Sequence, residues 1–146
     1  HFDSKEALLE AAIGPAIDRM GVILDSLDGA LVDDAARRAF IEQFVDFLLE
    51  HRLEVHMFIN QGQSLEDVPV VDRANAMVET LATYVSSAVA TVEDHLRFGI
   101  ALGGAAYVLS AKQDTPLELP VDEIRAALIT ILSDLLAKVS VQHITS

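Results

Sequence analysis

The chain begins HFDSKEALLEAAIGPAIDRMGVIL (residues 1–24), and the pattern of this stretch predicts a long amphipathic helix. The apolar residues recur at steps of three and four: Leu8, Leu9, Ala12, Ile13, Ile17, Met20, Ile23 and Leu24. We expect the helix to cover about residues 4–27 and to end at Asp28-Gly29. Because the apolar pattern resumes in phase after Pro15, this proline should kink the helix without breaking it.

Helix-start signals recur along the chain. Asp3 and Glu6 have the spacing of a capping box, as do Thr91 and Asp94. Pro69 suits the first turn of a helix. Together with the apolar periodicity, these signals predict five further helices, at about residues 33–51, 53–61, 69–88, 91–113 and 121–141. The sequence therefore predicts an all-α bundle of about six helices.

The composition limits the class of protein. With 146 residues, of which 51% are hydrophobic, the chain forms one domain with enough apolar residues for a core. Its formal net charge of −13 repels phosphates and makes this chain alone a poor nucleic-acid binder. The absence of cysteine excludes a disulfide and a thiolate metal site. The longest uncharged run, residues 98–111, is too short to span a bilayer, so we expect a cytoplasmic protein with no membrane partner.

The last two predicted helices carry more apolar surface than one neighbour requires. The apolar arc of the sixth spans roughly 160° at ~100° per residue. The fifth has small residues at helical spacing, among them Gly99 and Ala106, which let another helix approach closely. Either an intramolecular crossing or a two-fold four-helix interface explains this pattern. We favour a homodimer, whose predicted interface residues are Leu96, Ile100, Gly103, Tyr107, Ile124, Leu128, Ile131 and Leu135.

The sequence contains no catalytic constellation that we recognise. Its five histidines include no His-x3-His pair and no HExxH motif. Ser86-Ser87 lacks the glycines of a nucleophile elbow, and Glu93, Asp94 and His95 are consecutive, so their side chains diverge on a helix. We expect neither an enzyme nor a bound cofactor. A metal site assembled from carboxylates and histidines of separate helices is the alternative that the sequence leaves open.

A ligand cavity is the kind of site that the sequence favours. Aromatic and methionine side chains line adaptable apolar pockets, in which a few polar groups orient the ligand. The second to fifth predicted helices carry the candidate residues Phe44, Phe47, His51, Met57, Phe58, Asn75, Met77, Leu81, Tyr84 and Phe98. The polar residues that we expect to orient a ligand are His51, Asn60, Asn75 and Tyr84. The alternative is that the large apolar members of this set simply form the core.

The first residues resemble a known junction between two domains. The residues concerned are His1, Phe2, Ser4, Lys5, Glu6 and Leu8. They fall on the pattern Tyr-x-His-Phe-x-Ser-Lys-Glu-x-Leu, which is typical of TetR-family transcriptional regulators where the recognition helix of the helix-turn-helix ends and a long connecting helix begins. The resemblance implies that residues 1–146 are a C-terminal ligand-binding and dimerisation domain. Residues 1–5 would then be the tail of an N-terminal DNA-binding domain.

For function, the resemblance implies a ligand-responsive, homodimeric transcriptional regulator. It would be a repressor whose binding to operator DNA, through the N-terminal domain, is released by a small hydrophobic or amphipathic effector. His1 and Lys5 would contact the DNA backbone, and Phe2 would pack the DNA-binding domain against the first helix. The alternative is a helical small-molecule carrier or assembly module with no DNA function.

Overall fold

A computed structural model of the chain describes residues 5–61, 68–110 and 120–139, and seven helices lie in this part. They are α1 (Lys5–Leu24), α2 (Leu27–Val32), α3 (Asp34–Glu50), α4 (Arg52–Gln61), α5 (Pro69–Ala88), α6 (Val92–Ser110) and α7 (Val121–Ala137). The all-α fold predicted from the sequence is confirmed. No helix in the described ranges is both long and apolar enough to cross a membrane.

The central helix of the bundle is α3. Asp33 caps its N-terminus, where carboxylate Oδ2 accepts a hydrogen bond of 2.8 Å from the backbone N–H of Ala36. A cap of this kind stabilises a helix by about 1 kcal/mol. The helix packs against α1, α2, α6 and α7. Six of its side chains are buried there: Phe40, Ile41, Phe44, Val45, Phe47 and Leu48.

The first predicted helix is divided into two. As predicted, α1 continues through Pro15 without a break, but it ends at Leu24. The predicted end at Asp28-Gly29 is wrong, because this pair lies inside α2. With six residues, α2 is too short to show a helical period in the sequence. It packs against α3 through the buried side chains of Leu27, Ala30 and Leu31.

The later helices lie close to their predicted ranges, and α5 has the predicted bounds. At the end of α6, which is Ser110, the predicted continuation over 111–113 lies outside the described residues. The prediction that the last helix extends to about residue 141 is wrong, since α7 ends at Ala137. The apolar pattern misleads here because Val139, beyond the helix, still packs against the core.

Two side chains of α4 contact the last carbonyl groups of α6. Arg52 Nε donates a hydrogen bond of 2.9 Å to the carbonyl oxygen of Leu109. His56 Nδ1 lies 2.6 Å from the carbonyl oxygen of Ser110. The last carbonyl groups of a helix have no partner within the helix, and basic side chains stabilise them. The two contacts therefore hold α4 across the end of α6.

A hydrogen bond joins α2 to α5, in which the Tyr84 hydroxyl donates to a carboxylate oxygen of Asp28. Burial, followed by this carboxylate, raises the pKa of Tyr84 from 10.0 to about 12. Because the pKa is higher in the folded state than in the unfolded chain, the contact stabilises the fold fully below about pH 10. That contribution is lost as the pH rises toward about 12.

A tyrosine titration tests this contact. Tyr84 is the one tyrosine left in a Tyr107→Phe variant, and its phenolate absorbance should appear with a pKa of about 12. Adding Asp28→Asn should lower that pKa without returning it to 10.0, because burial is the larger cause of the shift. Circular dichroism at each pH verifies that the helices persist. A pKa near 10.0 in a protein that is still helical would contradict the contact.

Candidate functional site

The bundle contains two separate hydrophobic clusters. The main cluster surrounds α3 and includes buried side chains of α2, α6 and α7. The small cluster consists of Leu9, Ile13, Ile17, Val70 and Val71. Residues of α1 contribute to both, because Ala16 and Ile23 belong to the main cluster. Residues of α5 also contribute to both, since Val70 and Val71 belong to the small cluster and Val85 belongs to the main cluster. The clusters are thus joined through α1 and α5.

An apolar cavity of about 570 Å³ adjoins both clusters, with walls from α1, α3, α4, α5 and α6. Its floor is made of buried side chains: Ile13, Ala16, Ile17, Phe44, Phe47, Val85, Phe98 and Leu102. Its rim is exposed and includes Ile59, Val78, Gly99, Gly103 and Tyr107. This volume falls within the range of roughly 300–1,000 Å³ typical of small-molecule sites. The described residues leave this rim open to solvent.

Few polar side chains line this cavity. Within the described part of the chain they are Glu54 of α4 and His95 and Tyr107 of α6. Glu54 Oε2 lies 3.8 Å from His51 Nδ1, and His95 Nδ1 lies 3.4 Å from Ser86 Oγ. No group of three or more His, Asp or Glu residues among the described ones is placed to hold a metal ion. The wall suits an apolar ligand with one or two polar groups.

Six of the ten ligand-binding candidates lie on the cavity wall. They are Phe44, Phe47, Phe58, Met77, Leu81 and Phe98. Three of these six, Phe44, Phe47 and Phe98, are also buried members of the main cluster. The two interpretations of the sequence, core residue and cavity wall, therefore apply to the same side chains.

The other four candidates lie off the wall. The ring of His51 packs on that of Phe47, with centroids 4.9 Å apart. Met57 packs against the small cluster. Asn75 is exposed on α5, and the hydroxyl of Tyr84 is bonded to α2. None of these four side chains is among those that line the cavity.

The polar residues of the wall differ from those that the sequence suggests. Asn60, a sequence candidate, donates to the carbonyl oxygen of His56 in its own helix at 2.9 Å. Glu54 and His95 are missed, because a single Glu or His on an amphipathic helix is more often simply solvated. The wall residues of α1, such as Ile13 and Met20, do belong to the predicted apolar stripe. Nothing in the stripe distinguishes cavity wall from core.

One apolar face of α6 and α7 is uncovered within the described part of the chain. This outer face comprises the eight residues predicted at a dimer interface. On α6 they are exposed: Leu96, Ile100, Gly103 and Tyr107. On α7, Ile131 is exposed, and Ile124, Leu128 and Leu135 are half-buried. A Cβ atom added at Gly99, Gly103 or Gly104 would meet no described atom within 4 Å. The described residues therefore form no close helix crossing at these glycines. Gly103 and Tyr107 belong both to the outer face and to the cavity rim.

The junction residues at the start of the chain are described only in part. His1, Phe2 and the predicted cap Asp3 lie outside the described residues. Lys5 is the first residue of α1, and its side chain also lies outside the described part. Their proposed contacts with DNA remain predictions.

Comparisons with known proteins identify no relative. No family model, curated protein or solved structure matches this chain significantly. The TetR-like interpretation therefore depends on the junction residues and on the helical architecture.

Blocking the cavity provides a direct test of ligand access. Ala74 lies on the cavity wall and is partly buried, whereas Ala76 is exposed on the same helix, α5. We expect the wild-type chain to bind the neutral fluorescent probe N-phenylnaphthylamine saturably, and Ala74→Trp to weaken this binding severalfold because the indole occupies part of the cavity. Ala76→Trp adds the same side chain outside and should leave the fluorescence titration unchanged. Equal binding by Ala74→Trp would show that the probe binds elsewhere.

Proposed function

We propose that this chain is the ligand-binding and dimerisation domain of a TetR-like transcriptional regulator. In this proposal it is a repressor that a small hydrophobic or amphipathic effector releases from operator DNA. The observation that carries the proposal is that α1, the helix that follows the junction sequence, forms one wall of the apolar cavity. A ligand that occupies the cavity contacts the same helix that would connect to a DNA-binding domain.

The attachment of α1 supports a movement of this kind. Its N-terminal half packs on the small cluster, which has five buried members among the described residues. At the surface, Arg73 of α5 pairs with Glu10 at 3.1 Å and with Asp18 at 3.0 Å. These side chains are about half or more exposed, and surface ion pairs contribute only about 0–1 kcal/mol each. Of the buried side chains of α1, Ile13, Ala16 and Ile17 line the cavity, so a ligand there would touch part of the packing that holds the helix.

The proposed mechanism is a shift between two arrangements of α1. A ligand that contacts Ile13, Ile17 and Met20 favours the arrangement with the wider cavity. In a dimer, the two DNA-binding domains would then no longer match half-sites about one helical turn apart. The net charge of −13 is consistent with this proposal, because the N-terminal domain, and not this chain, would bind the DNA.

The outer face of α6 and α7 supports dimerisation with a second copy of the chain. It presents exposed apolar side chains on two adjacent helices, although charged residues make up 23% of the sequence. Gly103 leaves room for a close helix approach. An uncharged face of this shape is suited to a two-fold contact, in which the same residues meet from both subunits. Four helices, two from each copy, would then form the interface.

A charged substitution on the outer face should separate the subunits. Ile100 is 64% exposed on the outer face, and Val22, 58% exposed on α1, is a matched control. We expect sedimentation analysis to give a dimer for the wild type, a monomer for Ile100→Asp and a dimer for Val22→Asp. The reason is that a dimer would bury two uncompensated carboxylates in Ile100→Asp. A monomeric wild type, or a dimeric Ile100→Asp variant, would refute this interface.

The regulatory function is tested on the protein as its own cells produce it. Native mass spectrometry should give a subunit heavier than 15.8 kDa by about 5 kDa, the size of a helix-turn-helix domain. Genomic DNA captured on that protein should contain an inverted repeat, and apolar ligands that fill the cavity should release it. A subunit of 15.8 kDa that captures no DNA would refute the regulator.

The second candidate is a small-molecule carrier, which the same cavity favours. A carrier needs the cavity and its open rim but no junction, no DNA-binding domain and no coupling through α1. Its ligand would remain bound in the native mass spectrum of a 15.8 kDa subunit. The mass of the natural subunit therefore separates the two functions.

A further inference from the structure

The cavity wall combines aromatic rings with a single carboxylate. Five of the eight aromatic residues of the chain line it: Phe44, Phe47, Phe58, Phe98 and Tyr107. Glu54 is the one acidic residue among the described wall residues, and no lysine or arginine is among them. Electron-rich ring faces attract cations, as an ionised carboxylate does. The described wall thus attracts a positive charge through both the aromatic rings and the carboxylate, and it has no permanently charged basic group that would attract a negative charge.

Among the described residues, Glu54 has no strong partner. Its side chain is 27% exposed, and its ion pair with His51 spans 3.8 Å and exists only when the imidazole is protonated. The neighbouring Arg52 is turned toward α6, where Nε donates to the carbonyl oxygen of Leu109. A carboxylate beside apolar side chains loses part of its hydration, and a cation placed next to it would restore favourable interactions.

We propose that the ligand is a lipophilic cation, with an apolar body and a quaternary or protonated amine close to Glu54. This inference rests on the proposed ligand-binding function and assigns the chemical class of the ligand. The apolar body occupies the floor of the cavity between the two clusters, and the cationic head lies at Glu54 among aromatic rings. The net charge of −13 adds a field that concentrates cations at the protein surface.

An anionic amphiphile fits this wall poorly. Its head would meet the carboxylate of Glu54 with no lysine or arginine among the described wall residues to compensate it. The one basic side chain among the described wall residues is the imidazole of His95, and the imidazole of His51 lies beside Glu54 but off the wall. A neutral amphiphile fits the floor equally well but leaves the carboxylate without a counter-charge. The order of affinity should therefore be cation, then neutral, then anion.

Three ligands with the same decyl chain test this order: decyltrimethylammonium, decanol and decyl sulfate, each titrated calorimetrically below its micelle concentration. Glu54→Gln should weaken binding of decyltrimethylammonium on the order of tenfold, the effect of removing one interaction with a charged group. It should leave decanol unchanged within about twofold. Glu54→Lys should reverse the preference toward decyl sulfate. Glu50→Gln, at an exposed position off the cavity wall, is the matched control and should behave like the wild type.

The outcomes separate this inference from the proposed function. If no decyl ligand binds the folded wild type, the cavity is not a site for such amphiphiles, and both proposals fail. If the three bind equally, or Glu54→Gln and Glu50→Gln lose the same affinity for the cation, the cationic class is refuted while the cavity stands. Circular dichroism and thermal unfolding establish that each variant is folded. Should Glu54→Gln fail to fold, Glu54→Lys and the wild-type order of affinity still decide the question.

Discussion

The shared position of α1 and α5, which both pack on the two hydrophobic clusters, is the constraint on which the rest of the structure depends. The first helix contributes Ile13 and Ile17 to the small cluster and Ala16 and Ile23 to the main cluster. The fifth helix contributes Val70 and Val71 to the small cluster and Val85 to the main cluster. A helix is stiff over this length, so packing on both clusters fixes the distance between them. The walls that α3, α4, α5 and α6 add then surround the space that remains. The cavity is thus a consequence of how two helices are shared between two hydrophobic clusters.

A closed, dry cavity of this size would cost much of the stability of the fold. If the 570 Å³ were closed and dry, a cavity term of roughly 24 cal/mol per Å³ would amount to about 14 kcal/mol. This equals the whole stability of an ordinary domain, about 5–15 kcal/mol. The open rim resolves the conflict, because water can enter. Water beside so many apolar side chains makes few hydrogen bonds, and an apolar ligand that displaces it gains free energy.

The sequence predicts the helices better than it predicts the site. Long helices such as α5 show their period over many residues, whereas α2 has six residues and no visible period. For the site, the apolar type of Phe44 or Met77 indicates that the side chain is not in water. It does not indicate whether another side chain or a void lies opposite, because that depends on how α1 and α5 are shared between the clusters. Glu54 could not be found by residue type, since its role depends on the neighbours that folding provides.

The two proposed roles of α6 have a thermodynamic consequence. Gly103 and Tyr107 lie on the cavity rim and on the outer face, so the proposed ligand and a second subunit would contact the same stretch of helix. Two binding events that depend on one element are linked, and the linkage acts in both directions by the same factor. A ligand that strengthens the subunit contact would itself be held more tightly by the dimer, and one that weakens the contact would be held less tightly. The apparent affinity for ligand would then change with the concentration of the protein.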